Sequence, residues 1–308
     1  MARIRRNGPL AQILGENCCA SAPFGNAIPN ERGINRGNTF RFRVMGHAIR
    51  ICIPRVVLQF QIATTTVRVN VPARYQLFEK LRARIQAGQG FSLATINLDH
   101  LVKLRHDTPF RLAYGAQDFV VADGNPIVWL SKLAKRPVEL IPGSELVVPL
   151  TEMAADCGAT VALLGSTEDA LNRAAEGLCD RIPGLQIVAQ IAPPMGFDPM
   201  GEDAAQMLQD IDQSGAQLCF LALGAPKQEI LAVRGRAIAP KTGFVSIGAG
   251  LDFIAGNQTR APKWVRAIAM EWVWRMALSP ARLVPRYARC IAILPAEVRA
   301  ARELGRSA

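Results

Sequence analysis

The sequence predicts an α/β protein: a parallel sheet with helices on both faces. Three observations carry this. Short apolar runs alternate with amphipathic segments from Val67 onward. The runs are apolar almost throughout, as strands covered on both faces must be. The segments between them return apolar residues every three or four positions, the period of a helix face. In chain order, Val67–Val71 is a short strand. Leu77, Phe78, Leu81 and Ile85 mark one face of a helix closed by Gly88. Phe91–Thr95 is a strand, Leu98–Arg105 a helix, Phe119–Ala122 a strand and Pro126–Ala134 a helix. Val138–Ile141 reads as a strand, followed by a helix capped by Ser144. Thr160–Leu164 (strand) precedes Glu168–Arg181 (helix), with Ala170, Leu171, Ala174, Ala175 and Leu178 on one side. Leu185–Ala189 is a strand. A loop, Ala192–Gly201, leads to a helix at 202–213. Leu218–Leu223 (strand), Pro226–Ile238 (helix) and Phe244–Ile247 (strand) complete the alternation. In such sheets ligands bind beyond the carboxyl ends of the strands, so chemistry is sought there.

Half of the 308 residues are apolar and a fifth are charged, enough apolar surface for a sizeable core. The net charge of +11 is unevenly placed. Residues 1–50 hold eight Arg against Glu16 and Glu31; residues 258–308 hold nine Arg and Lys263 against Glu271, Glu297 and Glu303. The stretch between is close to neutral. This divides the chain into a flexible basic N-terminal extension (1–60, with Met45 a candidate internal start), a sheet domain (61–257) and a basic helical C-terminal appendage (258–308). Basic ends favour an anionic surface, either nucleic acid or lipid. A nucleic-acid-binding protein would be expected to show aromatics interleaved on a basic sheet, zinc ligands or a helix-turn-helix, and these are missing. A dinucleotide-dependent oxidoreductase would be expected to carry G-x-G-x-x-G, which does not occur. The seven Cys are scattered without a C-x-x-C pair and read as a reduced set. No secretory signal is visible, and no run reaches the ~18 apolar residues of a membrane span, so any membrane contact is expected to be peripheral.

Two strand ends look alike. Ala94-Thr95-Ile96-Asn97 and Ala122-Asp123-Gly124-Asn125-Pro126 each end a strand with a polar residue, and an Asn two places later can cap the next helix. If the two strands are neighbours, their ends lie about 5 Å apart. Thr95, Asn97 and Asp123 then share one pocket, where a carboxylate can take the proton from an attacking hydroxyl. Asp-Gly-Asn-Pro is also good turn chemistry, and the pattern alone leaves both readings open. Gly165-Ser166-Thr167, Gly224-Ala225-Pro226-Lys227 and Gly248-Ala249-Gly250 each follow a strand. Each offers backbone N–H groups suited to a diphosphate, or simply a tight turn. Asp210-Ile-Asp212 has D-x-D spacing but falls on a helix, where the two carboxylates do not share a face; it reads as a solvated surface.

Together, these segments resemble the WecG/TagA/CpsF glycosyltransferase family, from about Val67 to about Arg289. The resemblance rests on Ala94–Asn97, Ala122-Asp123-Gly124, Pro142-Gly143-Ser144-Glu145-Leu146, Leu223-Gly224-Ala225-Pro226-Lys227-Gln228-Glu229, Arg260-Ala261-Pro262-Lys263-Trp264, and Glu271-Trp272 with Arg275. It implies a Rossmann-like domain and an inverting, metal-independent transfer with no cofactor. The expected donor is a UDP-sugar, of N-acetylmannosamine, glucose or uronic acid type. The expected acceptor is a sugar on undecaprenyl diphosphate, in cell-surface or exopolysaccharide synthesis. By the same resemblance Asp123 is the catalytic carboxylate, with Thr95 and Asn97 beside it. Gly143, Ser144, Gly165, Gly224, Pro226, Lys227, Gln228 and Glu229 are assigned to the donor, and Arg275, Arg282 and Arg286 to the acceptor diphosphate. The chain departs from the family pattern at Leu140, at Ala269-Met270 and at Pro285. In Pro262–Leu278, Trp264, Val265, Ile268, Trp272, Val273 and Met276 repeat at helical spacing beside Lys263, Arg266 and Arg275. Such a helix fits the interface of an anionic membrane or the domain core. The enzyme is therefore expected at the inner face of the cytoplasmic membrane, without nucleic acid, and as a possible homo-oligomer.

Overall fold

Apolar runs that are covered on both faces can satisfy their backbone groups only by pairing with one another. The computed structural model describes residues 39–44, 47–52, 57–257, 262 and 271–306. The chain forms two units, 1–56 and 57–308. In the first, β1 (Thr39–Val44) and β2 (His47–Cys52) pair antiparallel, a hairpin that no sequence period announces. Residues 1–38 and Met45 lie outside the described residues.

The second unit opens with another antiparallel pair, β3 (Leu58–Ile62) and β4 (Thr65–Val69). Here Leu58, Phe60 and Ile62 are buried while Gln59 and Gln61 face water. Then come α1 (Arg74–Gln86), β5 (Phe91–Ile96), α2 (Leu98–His106), α3 (Thr108–Gly115), β6 (Phe119–Ala122), α4 (Asn125–Leu133), a 3₁₀ turn at Gly143–Glu145 and α5 (Val147–Asp156). They are followed by β7 (Thr160–Gly165), α6 (Glu168–Arg181), β8 (Gln186–Ile191), α7 (Glu202–Gln213), β9 (Leu218–Ala222), α8 (Lys227–Ile238), β10 (Gly243–Ser246) and α9 (Gly250–Ile254). The C-terminal part supplies α10 (Glu271–Leu278) and α11 (Pro280–Arg306).

Strands β5 to β10 form one parallel sheet in the order β6-β5-β10-β9-β7-β8. This is the parallel sheet with helices on both faces that the alternation predicts, and the Rossmann-like fold that the resemblance implies. Alternate residues choose the faces. Phe91 and Leu93 of β5 join Val161, Leu163 and Phe220 against α1, α5, α6 and α9. Ala94 and Ile96 point the other way, into a core shared by the β3–β4 hairpin, α2, α3, α4 and Ala301 of α11. On that second face the far half of the sheet packs Ala162, Leu164 and Leu221 against α7 and α8. β5 comes first in the sheet yet lies inside it. The order reverses at its carboxyl end, where doubly wound sheets take ligands.

Two local expectations are corrected, and one helix is added to the predicted order. Val138–Ile141 is not a strand; only Leu140 bridges Ala122, and Ile141 N–H bonds the Ala122 carbonyl. With Asn70, whose side chain bonds both Val120 N–H and the Asp118 carbonyl, it closes the outer edge of β6. Ser144 does not cap a helix: it sits inside the 3₁₀ turn, and α5 begins after Leu146 with no side-chain cap. Helix α3 was not anticipated, although Asp107 caps it, accepting from Phe110 N–H at 2.9 Å, with Pro109 in its first turn.

Candidate active site

Parallel pairing sets Thr95 opposite Val121 and Ile96 opposite Ala122. The next residue, Asp123, continues the ladder: its N–H bonds the Ile96 carbonyl at 2.8 Å. Asp123 is therefore delivered beside Thr95, whose hydroxyl donates to Asp123 Oδ2 at 3.5 Å, the long end of a hydrogen bond. Thr95 is buried, while Asp123 and Asn97 are half-buried, so the carboxylate stands at the boundary between core and opening. Asn97 Oδ1 caps α2, accepting from His100 N–H at 3.0 Å, which leaves its Nδ2 as the group it can offer a ligand. Gly124 turns the chain into α4 with φ +108°, a conformation open to glycine at little cost.

Beneath this pair lies a polar prop that sequence reasoning missed. Tyr114 is buried and donates to the Thr95 carbonyl at 2.8 Å. His100 Nδ1 lies 3.1 Å from the same phenol oxygen, a contact satisfied when the imidazole carries its proton on Nδ1. Burial, helped by the Lys103 charge, lowers the His100 pKa to about 3, so the ring is neutral. The Tyr114 pKa is pushed well above its ordinary value, first by burial and then by the negative charges of Glu229 and Asp123. The phenol thus stays a donor. His100 follows Asn97 by three places, which was the available signal; Tyr114 gave none, because its partner is distant in sequence.

The expected donor residues divide into those at the strand ends and those turned elsewhere. Gly143 presses into the end of β5: a Cβ there would come 3.3 Å from Thr95 Cγ2 and 3.1 Å from the Ser246 carbonyl oxygen. Ser144 follows it, half-buried. Gln228 spans the ends of β9 and β10, its Oε1 accepting Gly248 N–H at 3.0 Å. Its Nε2 donates to Glu229 Oε1 at 2.8 Å, and Glu229 is completely buried. Burial raises the Glu229 pKa to about 7, against the pull of the Gln228 amide. So Glu229 reaches the site through Gln228. Gly224 is open, with nothing near a would-be Cβ, and Pro226 stands at the start of α8. Lys227, in contrast, donates to the Phe197 carbonyl at 2.7 Å and lies over the Phe197 ring, bracing the 192–201 loop. Gly165 (φ +116°) is where β7 meets β9, its Cα against the Ala222 carbonyl. Asp210 and Asp212 are exposed on α7 on either side of buried Ile211, and Asp210 accepts from Gln206.

Helix α11 lies along α2 and α4. Arg286 meets Asp99 near the start of α2 (3.2 Å), and Glu297 meets Arg105 near its end (2.6 Å). The two helices therefore run the same way, and α11 begins at the carboxyl side of the sheet, above Thr95 and Asp123. Trp272 of α10 packs edge-on against Tyr287. Arg275 and Arg282 lie on α10 and α11, with their side chains outside the described residues. So do residues 258–261 and 263–270, which hold Arg260, Lys263 and Trp264.

A sequence model described as the glycosyl transferase WecG/TagA/CpsF family matches residues 62–307. Two curated relatives carry the name N-acetylglucosaminyldiphosphoundecaprenol N-acetyl-beta-D-mannosaminyltransferase. One, from Bacillus spizizenii, is 24% identical over 213 residues, covering 67% of this chain and 80% of the relative. The other, from Bacillus subtilis strain 168, is 24% identical over 205 residues, covering 65% of this chain and 78% of the relative.

Proposed function

The chain belongs to the WecG/TagA/CpsF family of glycosyltransferases, and we propose that it moves a sugar from a UDP-sugar onto a sugar linked to undecaprenyl diphosphate, with inversion at the anomeric carbon. The observation that carries this reading is the Thr95–Asp123 contact at adjoining strand ends, at the mouth of the sheet. The names of the two relatives support a polyprenyl-diphosphate N-acetylglucosamine acceptor and an N-acetylmannosamine donor; glucose-type and uronic acid donors are the alternatives.

In this mechanism Asp123 accepts the proton of the acceptor hydroxyl as its oxygen forms the new bond to the anomeric carbon. The bond from that carbon to the UDP oxygen breaks on the opposite face, so the configuration inverts and UDP leaves with the electron pair. Thr95 steadies the carboxylate, and the Asn97 amide orients a sugar hydroxyl. Backbone N–H groups at Gly224 and at the 3₁₀ turn of Gly143 and Ser144 face the leaving diphosphate. Arg286, with Arg275 and Arg282, takes the diphosphate of the lipid carrier, for which guanidinium geometry is suited. The acceptor lies in a bilayer, so the enzyme works while peripherally attached to the inner face of the cytoplasmic membrane. Among the described residues no helix is long and apolar enough to cross one.

The test uses the full chain, a panel of UDP-sugars and a short-chain polyprenyl-diphosphate N-acetylglucosamine. Asp123→Asn should lower turnover roughly 10²–10⁴-fold, the usual worth of a general base, with circular dichroism and melting unchanged. Turnover at the wild-type level in that variant would overturn the assignment.

A further inference from the structure

Asp99 is the second residue of α2, two places after Asn97, and it is largely buried. Its Oδ2 lies 3.0 Å from Lys103 Nζ and 3.2 Å from Arg286 Nη2. Lys103 in turn donates to the Ala225 carbonyl at 3.1 Å, in the loop between β9 and α8. A single carboxylate thus links α2 to the appendage helix α11 directly, and through Lys103 it is tied to the loop that holds Ala225.

The charges do not balance. Among the described residues two cations share one carboxylate, so the cluster as described carries an excess positive charge. The Arg286 Nε is buried and has no hydrogen-bond partner among the described residues. The side chain as a whole is 40% exposed, so Arg286 is only partly covered by the described residues around it. A long, flexible side chain loses rotamer entropy when it binds an anion, and a carboxylate whose charge already draws in one end of the guanidinium, through a single ion-pair contact, removes part of that cost.

We propose that Asp99 is a positioning residue for acceptor binding: it fixes the Arg286 guanidinium at the head of α11, where that guanidinium and the excess positive charge receive a diphosphate. This rests on the reading of Arg286 as an acceptor-diphosphate ligand. Asp99 touches neither sugar nor diphosphate; it acts only through Arg286. Asp99→Asn keeps the shape and removes the charge that orients the arginine, so the cost falls on acceptor affinity and not on the chemical step.

The experiment is a double-mutant cycle of wild type, Asp99→Asn, Arg286→Gln and the double variant. The readouts are acceptor KM, turnover at saturating acceptor, and UDP affinity by calorimetry. The acceptor is the short-chain polyprenyl-diphosphate N-acetylglucosamine. Asp99→Asn should raise acceptor KM roughly 5–20-fold, within the range of ion-pair couplings at partly buried sites. It should leave saturated turnover and UDP affinity within about 2-fold. The double variant should be no worse than Arg286→Gln alone, and Asp99→Glu, which keeps the charge, should recover most of the loss. If Arg286→Gln raises acceptor KM but Asp99→Asn does not, or if the two effects multiply, the positioning role is overturned. If Asp99→Asn weakens UDP to the same extent as acceptor, its role is general stability. If Arg286→Gln changes nothing, the acceptor assignment of Arg286 fails, and the Asp99 role fails with it.

Discussion

Glu229 is a carboxyl with no solvent access whose pKa stands at about 7 instead of 4.5, chiefly through burial. An acid with a raised folded-state pKa binds more protons folded than unfolded between those two values. Its contribution therefore falls as pH rises from about 4.5 to about 7 and is level above that. The full effect is roughly 3 kcal/mol. His100 works in the other direction. Its pKa is lowered from 6.5 to about 3, so stability is lost as pH falls through 6.5 toward 3. The two slopes oppose each other over much of the same window, and wild-type stability hides both. Glu229→Gln separates them, because it keeps the Oε1 acceptor that holds Gln228 and abolishes the charge. Its stability relative to wild type should be near zero at about pH 4 and should rise by about 3 kcal/mol by pH 8. Urea unfolding at the two pH values reads this directly, and a gap that does not change with pH would refute a titrating Glu229. The same residues show what a sequence discloses at this scale. Thr95, Asn97 and Asp123 were legible because adjoining parallel strands bring like positions together, so strand ends can be aligned on paper. Lys227 and Glu229 were legible only as members of a motif. That one turns toward Phe197 and the other is sealed under Gln228 depends on contacts with the rest of the fold.

At the scale of elements, two glycines that the sequence treats alike do different work. Gly165 and Gly224 both end strands and open onto helices. At Gly165 the backbone is left-handed, and a Cβ would collide with the Ala222 carbonyl, because β7 and β9 close together there. Gly165→Ala should cost about 1–3 kcal/mol through backbone strain and overpacking. At Gly224 a Cβ meets open space. Gly224→Ala should stay within about 0.5 kcal/mol of wild type, as surface changes do, yet weaken UDP where its N–H approaches the diphosphate. Melting curves beside UDP titrations check both. Loss of stability in Gly224→Ala would remove it as a probe of the donor, and unchanged UDP binding would remove it from the donor site. Most elements were readable because doubly buried strands such as Leu218–Ala222 are apolar throughout and need no partner to be recognised. The exceptions depend on partners far along the chain. Val138 and Ile141 are apolar because they are buried where the segment closes an edge, not because it is a strand. The buried face of the Leu58–Ile62 strand covers α3 and the β5–β6 end of the sheet, which nothing local reveals.

At the scale of the molecule, α11 has two apolar sides. Leu283, Cys290 and Ala301 are buried against the domain. Val284 and Ile291, two turns apart and roughly a quarter-turn round the helix from that buried line, are 49% and 62% exposed, with exposed Arg289, Arg299, Arg302 and Arg306 along the same helix. The inner side makes the helix part of the core, so cutting the chain after Asn257 should destabilise the whole domain as well as any membrane contact. Truncation cannot therefore isolate attachment. Substituting only the outer side can. An exposed apolar stripe flanked by arginines is the composition of a helix that lies in an anionic interface. Val284→Asn with Ile291→Asn should leave the melting temperature where it is, since neither side chain packs inward. The same pair should sharply reduce sedimentation with phosphatidylglycerol vesicles. Wild-type binding should weaken in about 0.5 M NaCl, where the Debye length falls to ~4 Å and only the apolar part survives. The double variant in high salt should then not bind at all. Undiminished sedimentation of the double variant at low salt would move the membrane-facing surface off α11 and leave the stripe as ordinary exposed helix.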